Sequence, residues 1–169
     1  MNNFKVIIVE DVPLELKGTE GIIRNDIPEA EVIGTANNEA EYWRIIRDNQ
    51  PDLVLLDLGL GGSTTVGVEI CRHTKESYPA VKVLIFTGEI LNEKLWVDVL
   101  DAGADGIILK SGELLTRGDV RSVMEGKTMV FNEPILRRIV ERFKLSVNRE
   151  LTNQEALLDY EIDEYDERF

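Results

Sequence analysis

The chain has 169 residues and a formal charge of −13, with 32 acidic side chains against 19 basic ones. That balance argues against a nucleic-acid-binding surface, which is normally basic, and the single cysteine, Cys71, rules out an internal disulfide. Hydrophobic residues make up 43% of the chain, enough for the core of one domain with an appendage, while no apolar stretch approaches the length of a membrane-spanning helix.

The N-terminus, MNNFKVIIVED, enters a strand-like run with no signal peptide ahead of it, so a soluble, cytoplasmic protein is expected. Residues 5–9 predict a first strand and 13–25 an amphipathic helix opening at Pro13. A second strand follows over 31–35, and Asn37-Asn38 announces a helix over 39–49 that stops before Pro51. Residues 53–56 predict a third strand, 66–77 a helix ending ahead of Pro79, and 83–86 a fourth strand. The next helix, 92–102, stops at Gly103; a fifth strand covers 106–109 and a fifth helix 113–125. Three of the strand runs show little in–out alternation, as strands buried on both faces do. Five strands alternating with five helices predict an α/β domain, a parallel sheet with helices on both faces. Trp43 and Trp96 are expected as core or interface anchors within helices, and Cys71 and His73 as packing and surface residues rather than metal ligands.

Polar side chains recur where these strands end: Glu10 and Asp11 after the first, Asp57 after the third, Thr87 after the fourth, Lys110 after the fifth. In parallel sheets flanked by helices, ligands gather at the carboxyl ends of the strands. Taken singly, most have a plain structural reading. Glu10 and Asp11 would cap the first helix, Thr87 would be a β-branched strand residue, and Lys110 a solvated lysine. Asp57 fits no such reading, because it follows four apolar residues and precedes the flexible Leu-Gly-Leu-Gly-Gly loop. It is expected at the sheet edge rather than buried. Together the five predict one site. Phosphoryl transfer needs an in-line nucleophile, positioning and charge neutralisation, and a carboxylate can be the nucleophile, forming an acyl phosphate. Acidic groups held close together repel one another unless a cation is present. Magnesium uses a few carboxylates and keeps water and phosphate oxygens in its shell. A lysine supplies positive charge to a phosphate, and a threonine hydroxyl can hydrogen-bond one of its oxygens.

The motifs VIIVED, DLVLLDLGL, VLIFTGE and GADGIILK together resemble the response-regulator receiver domains of bacterial two-component systems, over roughly residues 4–126. The resemblance implies a flavodoxin-like (CheY-like), doubly wound five-stranded sheet in the order 2-1-3-4-5. By position it implies Asp57 as phosphoacceptor and Asp11 with Asp57 as direct ligands of Mg2+ (or Mn2+). The backbone carbonyl of Gly59 would be a further ligand, and Glu10 would act through a metal-bound water. Thr87 and Lys110 would be the switch hydroxyl and the phosphate-binding lysine, with Gly88 beside them. The implied donor is a histidine kinase or a phosphotransfer protein. Output would be changed protein–protein contacts through the fourth helix, fifth strand and fifth helix or through the tail, with a homodimer possible. Enzymatic activity would extend at most to Mg-dependent self-phosphorylation and self-dephosphorylation at Asp57.

Three positions depart from the family pattern. Gly61 stands where a proline is usual, and Gly61-Gly62-Ser63-Thr64-Thr65 lengthens the loop before Gly67. Ile107 occupies the position of the switch aromatic and cannot swing a polar ring between buried and exposed states. Ser111 follows Lys110 in place of a common proline. Glu89, two residues after Thr87, is expected near the approach of attacking water.

Residues 1–127 are therefore expected as the receiver, 128–149 as a linker helix and 150–169 as a short acidic amphipathic tail, a remnant of an output domain. Phe131-Asn132-Glu133-Pro134 reads as a helix start, followed by an apolar stripe of Ile135, Leu136, Ile139, Val140 and Phe143. The stretch resembles the linker of NarL/FixJ-type transcription regulators, and Leu151-Thr152-Asn153-Gln154-Glu155 looks like the opening motif of their DNA-binding domain. Only 14 residues follow Glu155, too few for a helix-turn-helix. They are strongly acidic, so DNA is not an expected partner. Two alternatives stay open: a DNA-binding regulator truncated before its helix-turn-helix, and a pseudo-receiver that takes no phosphate and acts by contact alone.

Overall fold

The computed structural model describes residues 3–88, 93–110, 115–127 and 130–131, together with positions 137 and 141. The chain runs β1 (Phe4–Val9), α1 (Pro13–Asp26), β2 (Ala30–Ala36), α2 (Glu39–Asp48) and β3 (Leu53–Leu56) into a short 3-10 turn (Leu60–Gly62). It continues as α3 (Thr64–Ser77), β4 (Lys82–Thr87), α4 (Glu93–Asp101), β5 (Gly106–Leu109), α5 (Arg117–Met124) and β6 (Val130–Phe131). The strands lie in the order β2-β1-β3-β4-β5-β6, every neighbouring pair parallel. The five expected strands are thus present in the expected order 2-1-3-4-5.

β3 and β5 are buried along their whole length, as runs covered by helices on both faces must be. Phe4, Val6, Ile8, Leu55, Leu84 and Ile108 form one apolar face with Ile23 of α1 and Val120 and Val123 of α5. The intervening strand residues, such as Ile7, Val54, Ile85 and Ile107, are equally buried and point to the opposite face, because successive strand side chains alternate. Each such side chain stabilises the fold by roughly 1.5–3 kcal/mol. On that second side Tyr42, not its neighbour Trp43, is the buried aromatic of α2, its hydroxyl 2.6 Å from Thr74 Oγ1 of α3. Trp43 is half-buried and its indole N–H donates to Glu39 Oε1 at 3.0 Å.

Helix ends follow local chemistry. Asn38 caps α2 by accepting the Glu41 N–H at 2.9 Å. α5 begins at Arg117, later than the expected 113, because Thr116 and Asp119 form a reciprocal capping box there. At the amino end of β5, the Asp105 carboxylate accepts hydrogen bonds from Lys75 of α3 (2.8 Å) and from Lys82 and the Val83 N–H of β4 (2.9 Å each). That carboxylate ties three elements together at the end of the sheet opposite the strand-end polar residues.

The expected helix cap, Asn132, and the first turn after it at Glu133 and Pro134 fall outside the described residues, but the two residues ahead of them form an element the sequence did not predict. Val130 and Phe131 pair with Gly106 and Ile107 as a sixth parallel strand, because β-prone residues there meet the open backbone edge of β5. The Phe131 ring lies 6.0 Å from that of Trp96 on α4. The chain divides into two compact units, Met1–Asn132 and Glu133–Phe169. The expected linker helix and acidic tail, like Glu89 and Ser111, fall outside the described residues, apart from two helical positions at Arg137 and Glu141. No described helix is long and apolar enough to cross a membrane.

Candidate functional site

The carboxyl ends of β1, β3, β4 and β5 bring the five expected residues to one edge of the sheet. Glu10 directly follows β1 and its N–H still bonds to Ala36 O of β2 at 2.9 Å. The Asp57 N–H likewise extends the β1–β3 ladder to Val9 O at 2.9 Å. The N–H of Lys110 donates to Thr87 O at 2.8 Å, fixing the ends of β4 and β5 against each other. Backbone pairing therefore sets where each side chain begins.

One carboxylate oxygen each from Glu10, Asp11 and Asp57 lies within 4.8 Å of the others, the only such group of three metal-ligating side chains among the described residues. Glu10 is 3% exposed and Asp57 8%, so the expectation that Asp57 is not buried is corrected. The reason is local. The Gly59 N–H folds back onto Asp57 Oδ2 at 2.7 Å, and Lys110 covers Oδ1 at 3.1 Å. Asp11 is not a helix cap: α1 starts at Pro13 with no side-chain cap, and Asp11 Oδ2 instead accepts the Gly61 N–H across the site at 2.8 Å. Glu10 Oε1 accepts the Val12 N–H at 3.0 Å, close to the capping role but short of the helix itself.

Lys110 is the positive centre. Its ammonium bonds to Glu10 Oε2, to Glu15 Oε2 at 2.6 Å and to Asp57 Oδ1 at 3.1 Å, and lies 5.5 Å from the centre of the Phe86 ring. Burial alone would lower its pKa, but the bonds to Glu10 and Glu15 and the charge of Asp57 outweigh burial and hold it above the ordinary lysine value. Burial pushes the Glu10 carboxyl up, against the opposing pull of Lys110 and the Val12 N–H. A buried carboxylate pair offset by one lysine is the arrangement that a hard cation relieves.

Thr87 is fully buried at the end of β4, and Gly88 beside it is exposed. Ile107 is also fully buried, in register with Phe131 of β6. The loop after Asp57 turns through Gly61 (φ +61°) and Gly62 (φ +75°), with the Gly62 N–H on Gly59 O at 3.1 Å. A proline, locked near −65°, cannot take the Gly61 conformation, which accounts for that departure from the family pattern.

Glu15 escaped the sequence, and Gly67 was noted there only as the residue that ends the lengthened loop. Glu15 holds Lys110, and its signal was one helical turn of spacing after Asp11. Gly67 on α3 carries no side chain because a Cβ there would stand 2.6 Å from Leu58 Cα, 2.8 Å from Leu58 O and 3.0 Å from Asp57 O.

Residues 6–116 match the family of response regulator receiver domains, and residues 130–169 match a family of unknown function. The chain is 31% identical over 130 residues to the DNA-binding transcriptional activator DevR/DosR of Mycobacterium tuberculosis, covering 76% of this chain and 58% of that one. It is 32% identical over 128 residues to the oxygen regulatory protein NreC of Staphylococcus epidermidis, covering 75% and 57%. The chain thus spans a little over half the length of these relatives. A crystal structure of a LuxR-family two-component response regulator from Aurantimonas superposes with a TM-score of 0.73 at 27% identity, covering 83% of this chain and 98% of that one. With the receiver match extending over most of the sheet and its strand-end cluster, the chain belongs to the response regulator receiver domain family and is a two-component response regulator.

Proposed function

We propose that Asp57 is the phosphoacceptor of this regulator. The observation that carries the reading is the side chain's setting: a carboxylate at the end of β3, within 4.8 Å of Glu10 and Asp11 oxygens and 3.1 Å from Lys110 Nζ. A histidine kinase or a phosphotransfer protein is the donor. An Asp57 oxygen attacks phosphorus, the bond from phosphorus to the donor imidazole nitrogen breaks, and that nitrogen keeps the electron pair and takes up a proton. Lys110 supplies positive charge to the transferred group, and the Thr87 hydroxyl and Gly88 backbone line the strand end beside it.

The donor set suits magnesium, because all its side-chain ligands are hard oxygens close enough to share one ion. Asp11, Asp57 and the Gly59 carbonyl are the direct ligands in this reading, with Glu10 acting through water. Bound there, the ion would neutralise charge on the carboxylates and phosphoryl oxygens. Incubation with acetyl phosphate and MgCl2, followed by intact mass, tests the reading. The wild type should gain one phosphoryl group, while Asp57→Asn and an EDTA-treated sample should not. An unlabelled wild type, or equal labelling of Asp57→Asn, overturns it and leaves the phosphate-independent interaction module.

The output in this reading is altered protein contact through the α4–β5–α5 surface, where Val97 is 51% and Leu100 43% exposed on α4. A second reading, transcription control through DNA, is favoured by the description of one relative as a DNA-binding transcriptional activator. A gel shift at moderate salt that detects DNA binding would carry it.

A further inference from the structure

The lysine of the site has an acceptor that no role yet described uses. An ammonium has three N–H donors, and Lys110 spends them on Glu10, on Glu15 at 2.6 Å and on Asp57 at 3.1 Å. The acceptors differ in what losing the lysine costs. Glu10 is 3% exposed, so bulk water does not take the lysine's place on that carboxylate. The Glu15 side chain is 47% exposed, so water replaces the lysine there at little cost. A phosphoryl oxygen on Asp57 that receives an N–H from Lys110 must draw that donor from one of the three. Asp57 itself carries the phosphoryl group, and of the two glutamates Glu15 is the acceptor that yields.

We propose that Glu15 is a positioning residue of the phosphoacceptor site: it holds Lys110 from α1 and competes with the phosphoryl group for that lysine, and so slows phosphorylation of Asp57. The inference rests on the reading of Asp57 as phosphoacceptor with Lys110 as its phosphate contact. Glu15 touches neither phosphorus nor the carboxylate of Asp57; it acts through Lys110 alone. Its position on an exposed face of α1 makes it separable from folding.

The test compares initial rates of Asp57 labelling by acetyl phosphate and MgCl2 in the full chain, read by intact mass, for wild type, Glu15→Gln and Glu15→Asp. In this reaction the bond from phosphorus to the acetate oxygen breaks as the bond to Asp57 forms, and acetate leaves with the electron pair. Glu15→Gln should label about two- to fivefold faster, the scale of a partly exposed ion pair, with an unchanged melting temperature. Glu15→Asp keeps the charge but loses the reach to Lys110, and should be faster by a similar factor. A Glu15→Asp protein as slow as wild type would mean that bulk charge, not contact with Lys110, sets the rate, and overturns the inference. A Glu15→Gln protein no faster than wild type overturns it as well. A wild type that takes no phosphate fails the phosphoacceptor reading itself, visible in that sample alone, and the inference falls with it.

Discussion

Gly67 is where α3 presses against the backbone that presents Asp57. A methyl group there would stand 2.6 Å from Leu58 Cα, a contact only backbone movement can relieve. Gly67→Ala should therefore lower stability by about 1–3 kcal/mol, the usual cost of overpacking, measured by urea unfolding. Because the displaced backbone is that of residues 57–58, labelling of Asp57 by a phosphodonor should slow even under conditions where the variant is fully folded. Wild-type stability together with a wild-type rate would contradict the close approach. Such a residue is hard to read in a sequence, since its meaning lies in contact with another element. Glu10, Asp57, Thr87 and Lys110 were legible for the opposite reason: each stands directly beyond a run of apolar residues, with Asp11 next to Glu10, and parallel sheets put those positions at one edge. What the run could not show is that Gly59 and Lys110 would close over Asp57.

Between elements, the Asp105 carboxylate is the clearest single tie, joining α3, β4 and β5 through Lys75, Lys82 and the Val83 N–H. Burial pushes its pKa up, but the hydrogen bonds from Lys75, Val83 and Lys82 outweigh burial and hold it below the ordinary aspartate value. A carboxyl whose folded pKa is depressed contributes stability above its unfolded pKa, about 3.9, and loses it as pH falls through the folded value. Asp105→Asn should thus cost about 1–3 kcal/mol at neutral pH. Urea midpoints of wild type and variant should converge as pH drops below about 4, whereas curves that stay parallel would show that the tie is not ionic. The presence of β1 to β5 was legible from alternating strand and helix periods, because each of those strands is a run of four or more residues, whereas their order in the sheet was implied only by the family resemblance. β6 was not legible, since two residues carry no period, and only the open edge of β5 makes Val130 and Phe131 a strand.

At the scale of the molecule, a charge of −13 means that any salt stabilises the fold by screening self-repulsion, and that general effect must be separated from binding at Glu10, Asp11 and Asp57. An ion bound only by the folded state adds RT ln(1 + [L]/Kd), or about 2.7 kcal/mol at a hundredfold excess over Kd. For a chain of this size that is a rise of about 2–4 °C per kcal/mol. At matched ionic strength, MgCl2 should therefore raise the melting temperature of the wild type above its value in NaCl. Asp11→Asn removes one oxygen of the cluster, and with it part of the repulsion that Lys110 alone offsets, so its melting temperature in NaCl should be no lower than that of wild type. Its further gain in MgCl2 should disappear. The two effects have opposite signs at one residue, which screening cannot imitate, because screening acts on the whole surface and barely registers a change from −13 to −12. An Asp11→Asn protein that gains as much from MgCl2 as wild type would move the ion away from the strand ends, onto the general acidic surface.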